Sequence, residues 1–100
     1  MKVEYSKDFE RTVRKLSGKR LDSVRNTIQE VKKAQKLTDI TDCIMVVDYD
    51  YIYRIRIGNY RAFFNFHVEI KDGVVRFLYL IPRGQAYDKG TKKNLNRNDV

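Results

Sequence analysis

Tyr53-Arg54-Ile55-Arg56-Ile57-Gly58-Asn59-Tyr60-Arg61-Ala62-Phe63-Phe64 alternates strictly between two kinds of side chain on either side of a Gly-Asn pair. A period of two marks strands, and two such runs separated by Gly-Asn read as a hairpin. In that register Ile57 pairs with Tyr60, Ile55 with Ala62, Tyr53 with Phe64, and Arg56 lies directly opposite Arg61. Like charges directly opposite on a sheet repel. A chain that keeps this pair, with Arg54 one step along the same face, has built a seat for an anion. For a small basic protein, that anion is first of all a nucleic-acid phosphate.

The rest of the chain is read outward from this hairpin. Downstream, Tyr60 to Ile70 reads as one strand and Asp72-Gly73 as a tight turn. Val74 to Ile81 reads as the last strand, stopped by Pro82. This second turn pairs Ile70 with Val75, Val68 with Phe77, Phe66 with Tyr79 and Phe64 with Ile81, and Glu69 with Arg76 on the polar face. Upstream, Ile44 to Asp48 reads as a strand, with Asp48 and Asp50 as turn residues. Lys2 to Tyr5 is a strand, and Ser6 caps a helix carrying Phe9, Val13 and Leu16 on one side. Gly18 ends that helix. A second helix, from about Lys19 to Lys36, lines up Leu21, Val24, Ile28 and Val31. The two helices cover the apolar sheet face, giving a two-layer α+β domain of order β-α-α-β-β-β. The other face carries Arg54, Arg56, Arg61, Phe63, Asn65, His67, Glu69 and Arg76. Residues 1–92 form the domain, and 93–100 a polar tail expected to fray.

Bulk composition narrows the classes. One hundred residues with 42% hydrophobic content suit one folded domain. The formal charge of +8 favours polyanionic partners. Cys43 is the single cysteine, so no internal disulfide forms, which fits a reducing cytoplasm. With His67 far along the chain, the spacing does not support a zinc site. No apolar run approaches the roughly 20 residues of a membrane span, so the expected location is the cytoplasm.

The β-α-α-β-β-β order with arginines on the open sheet face resembles the RelE/ParE toxin superfamily. Residues 53–61 carry most of the likeness. Pro82-Arg83-Gly84-Gln85-Ala86-Tyr87 adds an arginine and a tyrosine after the last strand, which is similar to the RelE-like ribonuclease branch. The resemblance implies a metal-independent, cofactor-free endoribonuclease that enters the ribosomal A site. There the RNA 2′-hydroxyl attacks the adjacent phosphate. It also implies a cognate antitoxin, and contacts with rRNA and mRNA. On this reading Arg61, Arg83 and Tyr87 are catalytic, and Arg54, Arg56 and Phe63 bind substrate. Arg56 and Arg61 clamp the phosphate. Tyr87 is the candidate base for the 2′-hydroxyl, with nearby cations favouring a phenolate. Phe63 stacks on a base, or else is covered by the C-terminal segment. Arg54 and Arg56 stand where RelE itself commonly has lysines. Arginine keeps the charge and grips phosphate bidentately, but it is a poor proton donor or acceptor. Two other readings follow from the same resemblance. One is a ParE-like inhibitor of DNA gyrase, against which Arg83 and Tyr87 argue. The other is a catalytically inactive binding module.

Overall fold

The computed structural model describes residues 1–100. β1 (Lys2–Tyr5) leads into α1 (Lys7–Arg14) and α2 (Gly18–Lys33). Four more strands follow: β2 (Cys43–Met45), β3 (Ile52–Ile57), β4 (Tyr60–Asn65) and β5 (Val74–Pro82). The chain closes with α3 (Lys89–Asn98). The five strands form one sheet in the order β1-β5-β4-β3-β2, with β1 parallel to β5 and the other neighbours antiparallel. This is the expected α+β fold; the strand read at Ile44 to Asp48 is β2, at the sheet edge, and a third helix is added. No helix is long and apolar enough to cross a membrane.

Ser6 explains how α1 is placed. Its side chain accepts from the Phe9 amide at 3.0 Å, capping the helix. Its hydroxyl also donates to the Leu78 carbonyl, and its amide to that of Phe77 at 2.8 Å. The helix start is therefore bolted to β5. From there Phe9 reaches into an aromatic stack with Tyr5 and Phe77, with ring centroids 4.9–6.1 Å apart. Phe77 meets Phe64 edge-on, and Phe64 stacks on Tyr53. Val24 and Val31 of α2 complete this core with Ile55, Ala62, Val75 and Leu80.

Both helices are shorter than their apolar spacing predicts. α1 stops at Arg14 instead of running to Gly18, and Gly18 takes φ +57° at the start of α2. α2 stops at Lys33 because Ala34 turns extended, with ψ 144°. β2 also ends early, at Met45, because Asp48 adopts φ +74°, which no strand tolerates.

The larger correction lies between β4 and β5. The first hairpin has the expected register, Ile57 with Tyr60, Arg56 with Arg61 and Tyr53 with Phe64. Asp72-Gly73, however, does not close a two-residue hairpin. β4 ends at Asn65, and residues 66–73 form a loop that leaves Val68 and Ile70 exposed. Phe64 pairs with Phe77 and Phe63 with Tyr79, so Leu78 is an extra residue, a β-bulge. The bulge flips the alternation of β5. Tyr79 and Ile81 lie on the side opposite α1 and α2, and Leu80 turns inward. Arg76 pairs with Asn65, and Glu69 instead bonds to His67 at 3.1 Å.

The C-terminal segment also differs from expectation. Asp88 caps α3 by accepting from the Thr91 amide at 2.8 Å. Thr91 and Leu95 are buried, and Leu95 packs on Ile52, Phe63, Leu78 and Ala86. The far end is tied down by polar groups. The Asp99 carboxylate accepts from the Asp50 and Tyr51 amides, Asn65 donates to the Asn98 carbonyl, and the His67 ring bonds to the Val100 carbonyl. Residues expected to form a polar tail are therefore largely helical and held to the sheet by these contacts.

Candidate active site

β3 and β4 deliver three arginines to one place because the register is fixed from both sides of Gly58-Asn59. Gly58 takes φ +55°, which suits the first position of a tight hairpin turn. Arg56 and Arg61 then sit directly opposite, with Cα atoms about 4.5–5.5 Å apart in such a pair. Arg83 joins them from the end of β5. Its amide donates to the Asn59 carbonyl at 2.7 Å, which holds it against the hairpin turn. The register expected from sequence puts Arg83 near Ala62; because the 66–73 loop replaces the two-residue turn, Phe64 pairs with Phe77 instead of Ile81, and Arg83 falls at the hairpin turn.

The four basic residues differ in their surroundings. Arg56 and Arg83 are exposed. Arg61 is only 6% exposed, and its guanidinium donates to the Gly58 and Tyr60 carbonyls at 2.9 Å each. Burial, and then Arg56, Arg54 and Arg83 around it, hold its pKa below the ordinary guanidinium value. It stays a cation, but one whose charge is costly because it is buried among like charges. Arg61 thus braces the turn and projects positive field from below. Arg54 is half-buried; it donates to the Tyr87 hydroxyl at 3.2 Å, and its Nε is buried with no partner. None of Arg54, Arg56, Arg61 and Arg83 forms an ion pair with a carboxylate.

Tyr87 and Phe63 explain each other. Phe63 is fully buried, so it is not available to stack on a base. α3 and Ala86 cover it, because the bulge and the third helix build a second apolar cluster on what had been read as an open face. The Tyr87 ring instead stands edge-on to Phe63, centroids 6.1 Å apart and planes at 87°. Phe63 is a platform that orients Tyr87, and the phenol is left 49% exposed with its oxygen on Arg54.

Sequence reasoning named the arginines and Tyr87 but missed what holds them. Asn59, which pins Arg83, and α3, which supports Phe63, were not singled out. The signal for α3 was present: Asp88 three residues before Thr91, then Leu95 four residues on, are a cap and a buried face at helical spacing.

No group of three or more His, Cys, Asp or Glu side chains comes together to hold a metal ion. The site offers guanidinium groups, a phenol and backbone carbonyls. Such a set binds an anion, orients it and positions a hydroxyl beside it.

No family model matches the chain. Toxin RelE3 of Methanocaldococcus jannaschii is 28% identical over 89 residues, which cover 88% of this chain and 97% of that protein. A chain of the RelB-RelE antitoxin-toxin complex from Methanococcus jannaschii superposes with a TM-score of 0.68 at 22% identity, covering 85% of this chain and 95% of the other. A chain of the archaeal RelE-RelB complex from Pyrococcus horikoshii OT3 gives 0.66 at 22% identity, covering 85% and 97%. The chain is thus similar in sequence to Toxin RelE3 over nearly the whole length of both, and it shares its fold with a chain of each of the two complexes.

Proposed function

We propose that the protein is the toxin of a RelE–RelB-type toxin–antitoxin pair, and that it cleaves mRNA in the ribosomal A site. The observation that carries this reading is the unpaired arginine cluster with a tyrosine hydroxyl fixed at its edge. Cations without carboxylate partners repel one another until an anion arrives, and a phosphodiester supplies the matching charge. Arg56 and Arg83, both exposed, grip the non-bridging phosphate oxygens. Arg61 adds charge from beneath and keeps the turn in shape. Arg54 holds the Tyr87 oxygen in place.

In the reaction Tyr87, acting in its phenolate form, takes the proton from the RNA 2′-hydroxyl and becomes a phenol, while the 2′-oxygen attacks the adjacent phosphorus. The bond to the 5′-oxygen breaks, leaving a 2′,3′-cyclic phosphate and a 5′-hydroxyl. The arginines stabilise the extra negative charge on the phosphorane-like transition state. Guanidinium groups are poor acids, so the leaving oxygen takes its proton from water or from the ribosome. That shortage of acid–base groups supports a reaction completed on the ribosome. An antitoxin that masks the site brings acidic groups to these arginines.

Primer extension on a defined mRNA in a reconstituted translation reaction tests the proposal. A new 5′ end at the A-site codon that vanishes when ribosomes are omitted is the expected result. Intact mRNA on active ribosomes would overturn it. Tyr87→Phe should lower cleavage by about 100-fold or more, the scale of a general base, with an unchanged circular dichroism spectrum. Full cleavage by that variant removes Tyr87 from the chemistry.

A further inference from the structure

β1 pairs only with Val74–Phe77, while β5 continues to Pro82. The outer edge of β5 over Tyr79–Ile81 therefore has no strand beside it. A cleft of about 550 Å³ opens there, between α1 and α3. Arg11 lines it from α1, Lys15 from the residue just after that helix, and Asn94, Arg97 and Asn98 from α3. Asp8 is the one acidic side chain on its walls, and Arg11 already engages it at 3.1 Å. Lys15 has no carboxylate partner, and Arg97 is steadied by the Asn94 side chain. Asn98 is fixed by the Tyr79 hydroxyl and the Asn94 carbonyl.

The cleft adjoins the arginine site. Ile81, on its floor, is the cross-strand partner of Arg61, and Arg83 follows two positions later. Cations that are remote in sequence thus converge on the same strand that delivers Arg83. The walls are mostly polar, which suits a sugar–phosphate backbone better than the apolar side chains of a protein partner.

We infer that this cleft is a second phosphate-binding segment, which holds single-stranded RNA flanking the nucleotides at Arg56 and Arg83. The inference rests on the RNA-cleaving reading above and extends it: the substrate is a strand several nucleotides long, tracked along the end of β5. Lys15 and Arg97 each neutralise a flanking phosphate. The Asn94 amide N–H groups are offered to phosphate or ribose oxygens, while Asn98, whose N–H groups are already engaged, offers its Oδ1 to a ribose hydroxyl.

Fluorescence anisotropy with labelled 2′-O-methyl RNA, which resists cleavage, reads this directly. Oligonucleotides of roughly 4 and roughly 12 nucleotides bracket a short and an extended footprint. Lys15→Ala with Arg97→Ala should weaken the long RNA about tenfold and leave the short one unchanged. Each lost phosphate contact removes about 0.7 from the slope of log affinity against log salt, so the long RNA should lose about 1.4. Lys15→Arg with Arg97→Lys keeps the charges and should keep the affinity. The inference is overturned if the double alanine variant binds long RNA like the parent while Arg56→Ala with Arg83→Ala weakens both lengths. If neither pair of substitutions matters, the RNA reading of the arginine site falls, and this extension with it.

Discussion

The two faces of the sheet are built on different principles. Under α1 and α2 lies a broad core in which Phe9, Phe64 and Phe77 are essentially inaccessible; Phe9 stacks on Phe77, which meets Phe64 edge-on. Under α3 there is only a small cluster around Ile52, Phe63, Leu78, Ala86 and Leu95, and polar groups at residues 98–100 close its rim. The arginines and Tyr87 sit beside the second cluster. The comparison shows a division of labour. One face supplies the stability that offsets the mutual repulsion of Arg54, Arg56, Arg61 and Arg83. The other, thinner face positions the groups that meet a ligand.

Truncation on each face tests that division. Phe77→Ala should cost about 3–5 kcal/mol, the usual scale for an aromatic core residue. Urea unfolding measures it, and a loss below 2 kcal/mol would mean that the thick face is not the main source of stability. Leu95→Ala should cost about 2 kcal/mol, the low end for a buried leucine, because a small cluster close to the surface collapses readily around the gap. It should also lower RNA cleavage, since Phe63 would no longer hold Tyr87. Unchanged cleavage would separate α3 from the site.

Asp99→Ala removes the acceptor for the Asp50 and Tyr51 amides and should cost about 1 kcal/mol. Hydrogen exchange should speed up in α3 and leave β4 and β5 protected. Uniform acceleration would show that the two faces unfold as one. An effect that appears only at alkaline pH concerns Cys43, packed at the margin of the larger core. Burial raises its thiol pKa from 9.0 to about 11, against a smaller opposing pull from Arg54. In the unfolded chain the thiol ionises near its ordinary value, while the folded thiol resists. Stability therefore falls as pH rises from about 9 to about 11. Cys43→Ala should flatten that part of the profile, measured by denaturant midpoints across the range. An unchanged profile would mean that the thiol is not desolvated.

The arginine seat was legible because it depends on local order. Strict alternation over residues 53–64 and a Gly-Asn turn fix which side chains face each other, and Arg56 opposite Arg61 follows from counting alone. The place of Arg83 and the fate of Phe63 do not follow in that way. Asp72-Gly73 is as good a turn signal as Gly58-Asn59, yet Asp72 takes φ +58° at the end of a longer loop, and the bulge at Leu78 shifts every later partner. A bulge adds one residue to one strand and leaves no mark in the alternation of the other.

What the sequence determined by itself is the set of elements whose causes are local: the Ser6 cap, the apolar stripe of Val24, Ile28 and Val31, the first hairpin and its facing arginines. What only the tertiary structure decided is which apolar residues share a face after the bulge, and whether a polar tail with a single leucine folds. α3 has too little apolar surface to form alone. It holds because Leu95 finds Ile52 and Phe63 already assembled by β3 and β4, and because Asp99 finds two free amides at residues 50 and 51. Helices of that length depend on such partners. Those partners come from strands more than 25 residues earlier, beyond the reach of local pattern.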